Sequence, residues 1–160
     1  MKSLLLGLLA AIAVATSALA APADDPLMAP IHQFIDGFDK GDQKSAAAAF
    51  APTSLTIIDE VPPHIWVGPK ALQAWVKDLA AHDKKNGVTD QKVTLGDPTR
   101  TITSGDRGYV VVPATYTYSE RGAAMREPAQ MTYALQKGAH GWKIAGWTWV
   151  GTVPQPANAQ

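Results

Sequence analysis

Residues 108–152 read GYVVVPATYTYSERGAAMREPAQMTYALQKGAHGWKIAGWTWVGT. Apolar, aromatic and β-branched residues recur there with period two, in three runs: Gly108–Ser119, Glu127–Lys137 and Trp142–Thr152. Arg121-Gly122 separates the first two runs, and Gly138-Ala139-His140-Gly141 the last two. Both are turn signals, and long strands joined by so few residues pair antiparallel. Upstream, Ser104-Gly105-Asp106 sets off two shorter strand candidates, Lys92–Leu95 and Thr99–Thr103.

Before Val88 the period is helical. Asp25-Pro26 supplies an N-cap acceptor and then proline at the first helical position. Leu27, Ile31, Phe34, Ile35 and Phe38 form one apolar stripe, with His32, Gln33, Asp36 and Asp39 off it, and Gly41 stops the helix. Asp42 caps a second, short helix through Ala46 to Phe50, closed by Pro52. Leu55–Val61 is apolar and β-branched, which predicts a strand that Pro62-Pro63 ends. Gly68-Pro69 opens a third helix that buries Leu72, Trp75, Val76, Leu79 and Ala80 and stops at Asn86-Gly87. Its wet face carries Lys70, Lys77, Asp78, Lys84 and Lys85. Helices ahead of a curved antiparallel sheet, with no linker and no internal repeat, predict one α+β domain with the helices on one sheet face.

Composition narrows the function. The chain has 160 residues, 14 Lys+Arg, 14 Asp+Glu, four His and no Cys. A zero net charge with 18% charged residues argues against nucleic acid as a partner. The absence of Cys removes disulfides, thiolate metal sites and Cys nucleophiles. No G-x-S-x-G, phosphate loop, dinucleotide fingerprint, H-E-x-x-H or His pair at i, i+4 occurs, so no cofactor and no metal are expected.

The N-terminus reads as an address. Lys2 is followed by the apolar run Leu4–Val14 and the small-x-small site Ala18-Leu19-Ala20, the three parts of a secretory signal peptide. The run is shorter than the ~20 residues a spanning helix needs. Cleavage after Ala20 would leave Ala21–Gln160, with 13 basic and 14 acidic residues, in the periplasm or outside the cell and without a membrane anchor. On this reading residues 21–25 are a short lead, 26–152 the domain and 153–160 a flexible tail.

Four local sequences sit in a familiar order. They are Asp39-Lys40-Gly41-Asp42 between the first two helices, Phe50-Ala51-Pro52 leading into Leu55-Thr56-Ile57-Ile58-Asp59, Gly68-Pro69-Lys70-Ala71-Leu72, and Gly141-Trp142-Lys143-Ile144. In this order, over Pro26 to Thr152, the chain resembles the nuclear transport factor 2-like superfamily, in its SnoaL-like and ketosteroid isomerase-like branch, as an exported bacterial member. The resemblance implies a cone-shaped curved sheet packed on three N-terminal helices, an apolar pocket at its open end, and homodimers through the outer sheet face. That fold hosts isomerases, dehydratases, cyclases and members without chemistry, so it does not assign a function by itself.

Within the resemblance, Asp59 falls where isomerase-type members carry their general-base carboxylate. A carboxylate at a pocket mouth moves a proton when apolar walls lift its pKa; at an open strand end it is only solvated. Glu60, next in the strand, is expected on the opposite face and outside any pocket that Asp59 serves. His64, in the loop after Pro62-Pro63, is its expected acid or orienting partner, or else a plain loop histidine. The isomerase tyrosine of the first helix would fall near Phe34, which has no hydroxyl, and the later protonated carboxyl near Thr132 or Tyr133. His32 is read as a surface residue; His82, on a wet helix face, and His140, in a turn, are assigned no role.

Aromatic residues are the other signal. Trp147 and Trp149 share one face of the last strand while Ile144, Thr148 and Val150 share the other, provided no bulge intervenes. Tyr116 and Tyr118 share a face of the longest strand. Phe34, Trp66, Tyr116, Tyr118, Tyr133, Trp147 and Trp149 are the expected pocket set; core packing and a dimer interface are the other uses such residues have. Two functions remain open: a module that binds a small apolar ligand or a second copy of itself, and a pocket enzyme using Asp59 for isomerisation, dehydration or cyclisation.

Overall fold

The computed structural model describes residues 25–52 and 55–158, so the signal-peptide reading of residues 1–20 lies outside the described residues. Three helices are present among them: α1 (Met28–Asp39), α2 (Gln43–Ala48) and α3 (Ala71–Asn86). Helix α1 begins two residues later than Asp25-Pro26 predicts. The Asp25 side chain accepts from Leu27 N (2.9 Å) and its carbonyl from Met28 N (2.8 Å), so the pair forms a turn ahead of the helix. The apolar stripe behaves as expected, with Ile31, Phe34 and Ile35 buried. Asp42 caps α2 through Ser45 N at 3.0 Å. Gly37 lets α2 approach α1, since a Cβ there would lie 2.6 Å from Ala46 N.

The sheet comprises β1 (Leu55–Ile58), β2 (Ile65–Gly68), β3 (Val88–Leu95), β4 (Arg100–Ser104), β5 (Arg107–Glu120), β6 (Ala123–Gly138), β7 (Gly141–Gly151) and β8 (Gln155–Pro156). The order is β2-β1-β7-β6-β5-β3, with β4 on the far end of β5 and β8 on the near end of β6. Most pairs are the expected antiparallel ones, but β1 runs parallel to β7, so the sheet is mixed. Strand β1 stops at Ile58 rather than Val61 because the chain turns at once into a hairpin with β2, a strand the sequence reading absorbed into the approach to the third helix. The C-terminal stretch read as a tail carries β8, whose Gln155 and Pro156 pair with Arg126 and Met125.

Helix α3 touches β1 and β2 at one edge of the sheet and β3 at the other, which the sheet achieves by curving around it. Spanning an opening rather than lying on a filled layer, α3 buries only Ala71 and Trp75; Leu72, Val76 and Leu79 are half-buried and Ala80, expected inside, is exposed. The closed end of the cone is filled by Leu27, Ile31, Ile57, Val110, Val112, Leu135 and Ile144, all nearly inaccessible. The open end is where the site lies.

Candidate functional site

A cavity of about 460 Å³ lies between α1, α3 and the concave face of β5, β6 and β7. Strand parity sets its far wall. Along β6, Met125, Glu127, Ala129, Met131, Tyr133 and Leu135 face inward, and Glu127 is the charged member of that row. Along β5, Tyr116 and Tyr118 face inward, stacked at 4.6 Å, with Tyr116 opposite Glu127 in the ladder. On β7 a bulge intervenes: Ala134 pairs with Gly146 but Leu135 with Ile144, leaving Ala145 extra. Parity therefore shifts by one, and Ile144 shares the inner face with Trp147 and Trp149 instead of opposing them.

Asp59 reaches this cavity. It sits just past β1, half-buried; Oδ2 accepts from Trp75 Nε1 at 2.7 Å and Oδ1 from Val61 N at 3.2 Å. The two donors fix the carboxylate's direction without removing it from the cavity. Glu60 lines the cavity as well, against the expectation from strand alternation. The alternation fails because the strand ends at Ile58, and Asp59 and Glu60 occupy the bend after it.

Glu127 was not singled out by sequence, and its place is the most unusual in the molecule. It is 4% exposed and Oε1 accepts from Trp149 Nε1 at 2.8 Å. Burial pushes its carboxyl up to about 7; the Trp149 hydrogen bond opposes that rise, and the neighbouring Glu60 carboxyl adds to it by repulsion and by competing for the same proton. Gly151 makes the room: a Cβ there would overlap Glu127 Oε1, crowd Glu60 Oε1 and stand 2.7 Å from Trp149 Nε1. The signal that could have found it is the inward row of β6 itself, where one carboxylate interrupts apolar residues.

A second polar chain runs from β5 through β3 to α3. Tyr116 donates to Gln91 Oε1 (2.6 Å), Gln91 Nε2 to Asp83 Oδ2 (2.8 Å), and His82 Nδ1 lies 3.7 Å from Asp83 Oδ1. Burial raises the Asp83 carboxyl, partly offset by Gln91, and burial beside Asp83 holds the Tyr116 hydroxyl protonated. His82, which sequence left without a role, lines the cavity because the C-terminal turns of α3 overhang its mouth.

Of the expected pocket set, Phe34, Tyr116, Tyr118, Trp147 and Trp149 line the cavity; Tyr133 and Trp66 do not, and neither does His64, the expected partner of Asp59. Tyr133 is fully buried in the core, with its hydroxyl on Met131 Sδ at 3.1 Å. Trp66 is buried under α3, where Nε1 donates to Asp78 Oδ2 at 2.8 Å; this also removes Asp78 from the plain wet face. His64 is exposed at the hairpin turn with φ 74°, its backbone bonded to Val61 and Asp59, so its ring is no partner for the Asp59 carboxylate. Phe34 packs against Trp75 (6.2 Å) and Trp147 (5.7 Å), making the apolar floor. In the acidic-Gly hinge Asp39 is structural, accepting from Val93 N at 2.8 Å.

No protein-family model matches the sequence, and no curated protein matches it significantly. Solved structures do match the fold. A ketosteroid isomerase-like protein from Erwinia carotovora atroseptica superposes with TM-score 0.61 and 19% identity over 80% of this chain and 95% of that one. A nuclear transport factor 2-like superfamily protein from Salmonella enterica gives 0.63 and 14%, covering 82% and 92%. A hexachlorocyclohexane dehydrochlorinase, LinA-type3, from Novosphingobium barchaimii gives 0.67 and 14%, covering 82% and 90%. The chain has the NTF2-like α+β cone fold.

Proposed function

We propose that the protein binds a small, mostly apolar molecule in the cone cavity. The observation that carries this is the cavity itself: about 460 Å³, with Phe34, Trp75, Trp147, Trp149, Tyr116 and Tyr118 on its walls and polar groups, most of them carboxylates, set among them. That volume falls in the ~300–1,000 Å³ range of small-ligand sites. Three tryptophans on the wall report occupancy directly. A panel of aromatic and polycyclic compounds, titrated against intrinsic fluorescence and checked by native mass spectrometry of the purified protein, tests it. Failure of every compound to shift the emission, with no co-purifying mass, sinks the reading.

A second reading, proton-transfer catalysis, is favoured by one specific arrangement. Asp59 faces the cavity with its carboxylate oriented by Trp75, while Glu127 stands in the same cavity with its carboxyl near neutrality. Such a pair suits a base and an acid for isomerisation, dehydration or elimination; the neighbours named as isomerase-like and dehydrochlorinase belong to that range of chemistry. Turnover that survives Asp59→Asn unchanged excludes Asp59 as the base.

Two further parts of the reading concern where the protein acts. The domain is exported, and an N-terminus beginning at Ala21 in the mature protein is the expected result of Edman sequencing. It also pairs with a second copy through the outer face of β2, β1 and β7, where Ile58, Ile65, Val67 and Val150 are exposed, Val67 at 66%. Light scattering is expected to give a dimer for the wild type and a monomer for Val67→Lys; a monomeric wild type refutes the pairing.

A further inference from the structure

The cavity's charge is one-sided. Asp59, Glu60, Asp83, Glu120 and Glu127 line it; among the described residues His82 is the one lining group that can take a positive charge, and no Lys or Arg lines it. The chain as a whole carries 14 basic and 14 acidic residues, so the asymmetry belongs to the cavity and not to the protein. The carboxylates stand among aromatic faces: Tyr116 and Tyr118 stack beside Glu127, and Trp149 lies edge-on to Tyr116 at 6.1 Å while donating to Glu127. Aromatic faces attract cations, and more strongly where water is excluded.

Glu127 supplies the second, independent observation. The residue is 4% exposed and lines the cavity; Oε1 accepts from the neutral donor Trp149 Nε1, and its other close polar neighbour is the Glu60 carboxyl, so both of its partners leave it without a counter-charge. A buried carboxyl without a counter-ion costs stability. The inward neighbours Met125, Ala129 and Met131 show that the position is otherwise apolar. Gly151 is also kept free of a side chain, which leaves Glu127 Oε1, Glu60 Oε1 and Trp149 Nε1 grouped around one point. Among the described residues no three carboxylates or histidines converge as metal ligands, so the negative charge is spread along an aromatic wall rather than focused on a small ion.

We infer that the ligand is an organic cation: a primary to quaternary amine on an aromatic or alicyclic body, its ammonium group seated between Glu127, Glu60 and the Trp149–Tyr116 faces. This rests on the binding reading above and names the ligand class for that cavity. Groups facing Glu127 are Glu60 and Asp59 from the bend after β1, Tyr116, Tyr118 and Glu120 from β5, and Trp149 from β7, with His82 and Asp83 of α3 across the cavity. None carries a fixed positive charge and His82 is already beside Asp83, so a bound ammonium would be the missing partner and would draw the proton off Glu127.

Three probes of one shape test it by calorimetry in low salt: 1-naphthylmethylamine, 1-naphthylmethanol and 1-naphthoate. The amine is expected to bind about tenfold or more tightly than the alcohol at pH 8, with the carboxylate weakest. As Glu127 ionises around 7, amine affinity should rise up to about tenfold from pH 6 to pH 8 while the alcohol's stays level. Glu127→Gln should reduce the amine-to-alcohol ratio and flatten its pH dependence; Glu60→Gln serves if that variant does not fold. An alcohol that binds as tightly as the amine at pH 8 overturns the cation inference and leaves the binding reading standing. Absence of binding by all three removes both.

Discussion

Replacing Glu127 by Gln should change how stability depends on pH more than it changes stability itself. The carboxyl ordinarily titrates at 4.5 and in the fold near 7, raised chiefly by burial. Between those values the unfolded chain has released its proton and the folded chain has kept it. The folded state then binds more protons, so stability is full below the ordinary value and falls as pH rises through the folded one. At 1.36 kcal/mol per unit, the loss is about 3 kcal/mol by pH 8. Gln is nearly isosteric, its amide oxygen can accept from Trp149 Nε1, and Gly151 leaves it room, so the variant should fold and lack that loss. Urea unfolding followed by tryptophan emission at pH 4.5 and pH 8 measures it. With a urea slope of ~1–3 kcal/mol/M, the wild-type midpoint should fall by about 1–3 M more than the variant's. Asp39 and Asp83, also raised by burial, act equally in both proteins and cancel in the comparison. Parallel pH profiles for the two proteins would refute the claim that Glu127 is buried with a retained proton.

Three other substitutions probe the cavity and the core behind it. Gly151→Ala drives a methyl into Glu127 Oε1 and should cost roughly 1–3 kcal/mol, read as a lowered midpoint in urea, whereas a neutral result would mean that the carboxyl moves freely. Trp75→Phe keeps a ring against Phe34 and Trp147 but removes the donor to Asp59; a loss of about 1.5–3 kcal/mol is expected, the range for hydrogen bonds to charged groups. Tyr133→Phe deletes a hydroxyl whose partner is the Met131 thioether, a weak acceptor, so a thermal melt should show a change below about 1 kcal/mol and ligand titrations none.

What sequence revealed and what it hid divide along physical lines. The helices were legible because Ile31, Phe34 and Ile35 repeat at helical spacing and Gly41 and Gly87, both at positive φ, mark the stops. The strands β5 to β7 were legible because their turns are short and their alternation is long. The errors arise where one residue alters parity. The extra Ala145 on β7 turned Ile144 inward, and the early end of β1 brought Glu60 to the same cavity as Asp59. Strand β2 was hidden because it is four residues between two prolines and buries only Trp66. Asp59 was found through a resemblance; Glu127 needed the inward row of β6 to be followed residue by residue, and Trp75 needed a distance that no sequence contains.

The parallel pairing of β1 with β7 has a consequence for how the molecule is made. Ile57 finds its partner Trp147 ninety residues later, after both turns of the meander. Contacts so distant in sequence form slowly, because the loop between them must be ordered first. Helix α1, α2 and the β1–β2 hairpin therefore have no complete layer to rest on until the last long strand is available. A chain synthesised or threaded from its N-terminus would have Asp59, Trp75 and Glu127 all available before β7, yet the cavity they line would not exist until β7 joined β1 to β6. Truncation before Gly141 should then leave a species without protected amides in β1, whatever helix it retains.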